Sequence, residues 1–171
     1  MAVKWKSAFV GGFRIARAEM ETGDSLEFQV PVEIARAEQR NYSLFVEGQW
    51  ASVRGDGSTN KWGPGLYSVR DIPQNHVPPK IVLSCAEGPG LYYCIEPTDR
   101  TDKWERTAFA DLADEFIAER GHVVFVASGE VTVSGEPFTG PAIINVSKRT
   151  SVAVRKKTAD PMGVLMRIIE A

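Results

Sequence analysis

The sequence predicts a mainly β chain: a single domain over residues 1–171, folded as a barrel or sandwich with one short α-helix at about 107–120. Two observations predict the strands. The chain holds many runs of four to eight residues rich in β-branched and aromatic side chains, and Gly, Pro, Asn, Asp or Ser bounds almost every run. A third predicts the helix, because one segment alone carries apolar residues at helical spacing. With 43% apolar and 25% charged residues, a chain of 171 is long enough to bury one core.

The elements follow in order. SLEFQVPVEI (25–34) alternates apolar and polar, as a half-buried strand does. YSLFVEG (42–48), LYSVRDI (66–72), KIVLSC (80–85) and LYYCIE (91–96) continue a β-rich N-terminal part, residues 1–106. Next, TAFADLADEFIAERG (107–121) sets Phe109, Leu112, Ala113, Phe116 and Ile117 at helical spacing, with Thr107 to cap the start and Gly121 to end it. HVVFVAS (122–128), EVTVSG (130–135), AIINV (142–146), TSVAVRKK (150–157) and GVLMRII (163–169) complete the C-terminal strands, residues 119–171. GPGLYSVRDIP (63–73), GPGLYYCIEP (88–97) and GPAIINV (140–146) share a strand entry in which Gly permits a turn and Pro precedes the pairing run. IARAE occurs at 15–19 and 34–38, too irregularly spaced for a repeat architecture.

Charge and hydropathy exclude several classes. A net charge of −2 argues against nucleic acid as a partner. No apolar run approaches the roughly 20 residues that cross a bilayer, so no membrane role is expected. Charge interrupts MAVKWKSAFVGGFRIARAE too often for a signal peptide, so the expected location is virion or cytoplasm.

From Glu119 onward the chain runs strand, SGE turn, strand, GEP, strand, basic strand, last strand. The segment Val123-Val124-Phe125-Val126, Ser128-Gly129-Glu130, Val131-Thr132-Val133, Gly135, Gly140-Pro141 and Val164-Leu165-Met166-Arg167-Ile168 resembles the cupin, or RmlC-like, jelly roll. The resemblance covers roughly residues 119–169 and implies a jelly-roll barrel. Such barrels commonly hold a metal with two or three His and a Glu. This chain has two histidines, His122 at the head of a strand and His76 far upstream, and Ser147-Lys148-Arg149-Thr150 stands where a later His is expected. The expectation is a cupin-like barrel without the metal ligands and with no cofactor, of the kind seen in small phage structural proteins. His122 is the one weak catalytic candidate, with Asp114 or Glu115 as its orienter.

Other residue sets carry binding chemistry. Trp50 and Trp62 flank loops and can stack on a sugar ring, anchor an interface or fill a core. Arg54-Gly55-Asp56 can present Arg54 and Asp56 on a loop tip, or be a solvated turn. Asp56, Ser58 and Asn60 echo the start of a calcium loop, but the sixth-position Gly and the distal Glu are missing. Lys148, Arg149, Arg155, Lys156 and Lys157 form one basic concentration, suited to an anionic partner or to gatekeeping on an edge strand. If Pro89-Gly90 centres a hairpin, Cys85 and Cys94 face each other as a disulfide or as two thiols.

The readings that follow are three. The first is a non-enzymatic structural or interaction protein, a homo-oligomer assembling with other subunits through symmetric interfaces, as in a phage virion (decoration, adaptor or tail-associated) component. The second is a metal-free ligand-binding module for a carbohydrate. The third is a cupin-type enzyme around His122.

Overall fold

The computed structural model describes residues 4–28, 39–72, 80–98, 107–112, 115–146, 152–157 and 162–168. Every regular element among them is a β-strand. The chain clusters into two compact units: residues 1–8 with 14–104, and residues 9–13 with 105–171.

In the first unit seven strands form one sheet: β1 (Lys4–Val10), β2 (Phe13–Met20), β3 (Ser25–Phe28), β4 (Gln39–Arg54), β5 (Thr59–Trp62), β6 (Tyr67–Ile72) and β7 (Ile81–Pro97). Their order is β1-β2-β7-β4-β5, with β3 also beside β7 and β6 also beside β4. The axis is the antiparallel pair β4 and β7, strands of 16 and 17 residues. Its register shifts between Phe45 and Glu47, between Glu47 and Gln49, and between Gln49 and Trp50. Glycines make that irregularity tolerable. Gly48 sits at φ +81°, and a Cβ there would meet the Glu87 carbonyl oxygen at 2.8 Å and Gly90 Cα at 2.9 Å. One on Gly90 would strike Trp50 Cζ2 at 2.7 Å. Removing both side chains lets the backbones close up around an indole.

This corrects the expected hairpin at Pro89-Gly90. The chain does not reverse there, because β4 pairs with both halves of β7. Cys85 lies opposite Trp50 and Cys94 opposite Ser43, on one strand, and no disulfide joins them. The core of this unit gathers Ala18, Met20, Phe45, Trp50, Leu83, Cys85 and Tyr92.

In the second unit two four-stranded antiparallel sheets share one apolar interior. The first is ordered β13 (Ala142–Asn145), β10 (His122–Ser128), β15 (Met162–Ile168), β8 (Thr107–Asp111). The second is ordered β12 (Glu136–Thr139), β11 (Glu130–Val133), β14 (Val152–Lys156), β9 (Glu115–Ala118). Val124 and Val126 from the first sheet meet Ala118, Val131, Val133 and Val154 from the second, with Leu112 and Val146. Interdigitated inner faces of this kind hold a β-sandwich together. Gly129, at φ +82°, lets the chain leave β10 and enter the other sheet as β11.

The helix expected at 107–120 is replaced by two strands among its described residues. β8 pairs with β15 from Thr107↔Ile168 to Asp111↔Val164, and β9 pairs with β14 from Glu115↔Arg155 to Ala118↔Val152. The segment thus adds one outer strand to each sheet. A helix would have buried Phe116 and Ile117 together. Instead they alternate, and Ile117 is 54% exposed. β15 and β14 each take up part of the segment, so tertiary pairing overrides the local period.

Candidate functional site

The site is built by the same irregularity in β4 and β7. In a regular strand, side chains alternate, so odd and even positions face opposite ways. A cavity of about 150 Å³ on the sheet of the first unit is nevertheless lined by Asn41, Ser43 and Phe45, and by Ser52 and Arg54, of the same strand. Odd positions before the bulge and even positions after it share one face. β7 does the reverse-matched thing: Ile81 and Leu83 line the cavity at one end, Tyr92 and Cys94 at the other. Asn60 and Trp62 of β5 and Ser68 of β6 complete it.

Its aromatic side is rigid. Trp62 stacks on Phe45 with centroids 5.2 Å apart and planes at 11°, and Phe45 meets Tyr92 at 5.2 Å. Trp62 Nε1 donates to Ser52 Oγ at 3.2 Å, and Ser43 Oγ and the Tyr92 hydroxyl share a hydrogen bond of 2.9 Å. Burial pushes the Tyr92 phenol well above its usual value, so it is neutral at ordinary pH. The polar side consists of two Asn amides, three Ser hydroxyls and, at the outer end of β4, the exposed Arg54. This arrangement can hold a small polar molecule against an aromatic wall while several short side chains exchange hydrogen bonds with it.

The sequence-predicted residues separate. Trp62 and Arg54 line the cavity. Trp50 lies in the core, 1% exposed, with its Nε1 donating to the Glu47 carbonyl at 2.8 Å. Asp56 serves its own turn: its Oδ1 accepts from Ser58 N at 2.8 Å, and the hydrogen bonds from Ser58 hold its carboxyl below the usual range. Cys94 is in the cavity wall and Cys85 is buried beside Gly90. Arg155, in the second unit, pairs with Glu115 at 2.9 Å. Lys148, Arg149, His76 and Asp114 lie outside the described residues. His122 Nδ1 accepts from the backbone N–H of Glu119 at 2.8 Å, closing the turn that precedes β10, while Glu115 is engaged by Arg155. Sequence reasoning missed Asn41, Ser43, Ser52 and Ser68, and read Asn60 only as part of an incomplete calcium loop. Alternate small polar positions on β4 were the available signal, but the change of phase at the bulge split it.

The described residues do not fit a cupin metal. Among the described residues no group of three or more His, Cys, Asp or Glu side chains could hold one. The interior of the second unit, where the sequence resemblance lies, is apolar, and Cys94 is the single such side chain among the described residues lining the cavity.

No protein-family model matches the chain, and no curated protein matches it by sequence. Solved structures do match. HutD from Pseudomonas fluorescens SBW25 aligns over 94% of this chain and 80% of its own, with TM-score 0.63 and 15% identity. YhhW from Escherichia coli aligns over 92% and 81%, with TM-score 0.59 and 9% identity. A cupin 2 conserved barrel domain protein from Leptotrichia buccalis aligns over 99% and 89%, with TM-score 0.56 and 10% identity. The class is therefore settled at the level of architecture: the chain has a mainly β, cupin-like fold. No helix among the described residues is long and apolar enough to cross a membrane.

Proposed function

We propose that the chain is a cupin-like binding module that holds a small carbohydrate, without a metal, in the cavity on the first unit's sheet. The observation that supports this reading is the composition of the cavity wall, in which the Trp62–Phe45 stack stands beside Asn41, Ser43, Ser52, Asn60 and Ser68. A sugar ring has an apolar C–H face for the aromatic wall and hydroxyls for the short polar side chains. Size agrees as well. An enclosed cavity of about 150 Å³ accommodates one benzene ring, so the ligand is a single ring or the terminal ring of a chain. Calorimetric titration with a panel of monosaccharides tests the reading. Binding that Trp62→Ala abolishes while the fold persists by circular dichroism is the expected result. A panel without a single binder would refute it.

Assembly of the kind found in a phage virion component is the second reading. It is favoured by exposed isoleucines on two outer strands of the second unit, Ile143 of β13 and Ile117 of β9, which leave apolar surface beside unpaired backbone. Sedimentation of the protein from its native lysate tests it: travel with a large particle supports assembly, and a free low-mass species excludes it.

A further inference from the structure

The cavity carries a charge that a neutral sugar leaves unused. Arg54 is the one cationic side chain among the described residues lining it, and no Asp or Glu lines it. Two neighbouring charges are committed elsewhere. Lys80, next to Ile81, pairs with Glu27 at 2.7 Å. The Asp56 carboxylate is held by Ser58, with Arg54 only a lesser influence on it. The backbone around Arg54 is fixed: its N–H donates to the Ser58 carbonyl and its carbonyl accepts from Gly57 N, each at 2.9 Å, and Gly55 N donates to the Lys80 carbonyl at 2.8 Å. The base of the side chain is thus positioned by these hydrogen bonds, and Arg54 lines the cavity as an exposed residue.

Asn41 and Ser43 come from the arm of β4 before the bulge, and Ser52 and Arg54 from the arm after it. The amides and hydroxyls thus come from both arms of β4 and from β5 and β6, while the positive charge comes from one residue of one arm. From this asymmetry we infer that the ligand is a ring-sized polyol carrying one anionic group, a carboxylate or a phosphate, which Arg54 receives. This rests on the carbohydrate reading above and narrows it. A planar guanidinium suits either anion, because it can donate two parallel N–H bonds to a pair of oxygens. Arg54 is exposed, so the ion pair is screened by salt.

The test compares glucose, galactose and mannose with their uronates and their 6-phosphates by calorimetry, with acetate and inorganic phosphate as anions lacking the ring. At least one charged sugar is expected to bind about tenfold or more tightly than its neutral parent, the range of one charge-assisted hydrogen bond. Arg54→Gln should bring the two within about twofold, Arg54→Lys should restore part of the preference, and added salt should erode it. Uronate against phosphate ester identifies the anion. If neutral sugars bind as tightly as charged ones, or if the preference survives Arg54→Gln, Arg54 is not the anion's partner and this inference fails while the carbohydrate reading stands. If acetate or phosphate alone binds as well as any sugar, the polyol half fails. If nothing in the panel binds, both readings fall together.

Discussion

Trp50→Ala should damage the fold and not merely the site. The indole is 1% exposed, packs against Phe45 and Tyr92 at 5.7 and 5.8 Å, and fills the space left by Gly90. Burying an aromatic side chain removes roughly 200 Å² from water. At about 25 cal/mol per Å² that is about 5 kcal/mol, of which an alanine recovers a minor part. The Glu47 carbonyl also loses its donor, at about 1 kcal/mol. The expected loss is about 4 kcal/mol, inside the range seen for large-to-alanine changes in cores. Trp50→Phe keeps most of the packing and should lose about 2 kcal/mol. Urea denaturation followed both by far-ultraviolet circular dichroism and by fluorescence measures each, two probes being needed because two compact units need not unfold together. A Trp50→Ala protein within about 1 kcal/mol of the parent, yet unable to bind sugar, would refute the core assignment and return Trp50 to the role of ligand contact.

Other consequences can be checked with less. Gly163→Ala should lower the melting temperature sharply, because its Cβ would collide with the Phe125 carbonyl oxygen and meet Leu112 Cδ1 at 2.8 Å, and overpacking between paired strands costs about 2 kcal/mol or more. Stability should fall on the alkaline side. Burial raises both Cys85 and Tyr92, so their contribution is fully present below their ordinary values of 9.0 and 10.0 and is lost as pH rises through the folded values. Urea midpoints between about pH 8 and pH 10.5 measure it, and Tyr92→Phe should flatten the decline. Arg155→Ala should change stability by no more than about 0.5 kcal/mol, because the pair with Glu115 is more than half exposed at both ends; a larger thermal shift would show that the outer strand β9 depends on it.

The strands were legible wherever local pattern and tertiary pairing agree. HVVFVAS became β10 and AIINV became β13, because their bounding residues mark both turn chemistry and strand ends. Two errors share one cause. TAFADLADEFIAERG fits a helical period, and CAEGPGLYYC fits a hairpin, only when each is read without the strand that takes it up. β15 and β14 claim the first segment and β4 claims the second. The cavity was half legible for the same reason. Trp62 and Arg54 were chosen for their chemistry, but nothing local to Ser43 and Ser52 says that a distant glycine pair brings them to one face. For Trp50 the flanking Gly48 left loop contact and core packing both open; the indole fills the core, because that glycine serves the bulge in the middle of a strand.

The bulge also makes the site vulnerable to a kind of mutation that touches no lining residue. Ser43 and Ser52 are nine positions apart, and their agreement in direction depends on the parity of the chain between them. A substitution that removed the bulge at unchanged length, such as Gly48→Val, would restore plain alternation, and Ser52 and Arg54 would then swing to the other side of the sheet. Descendants that conserve every side chain of the wall could lose the ligand in this way. The bulge between Phe45 and Trp50, and not the wall's side chains alone, is what a lineage keeping this site has to inherit.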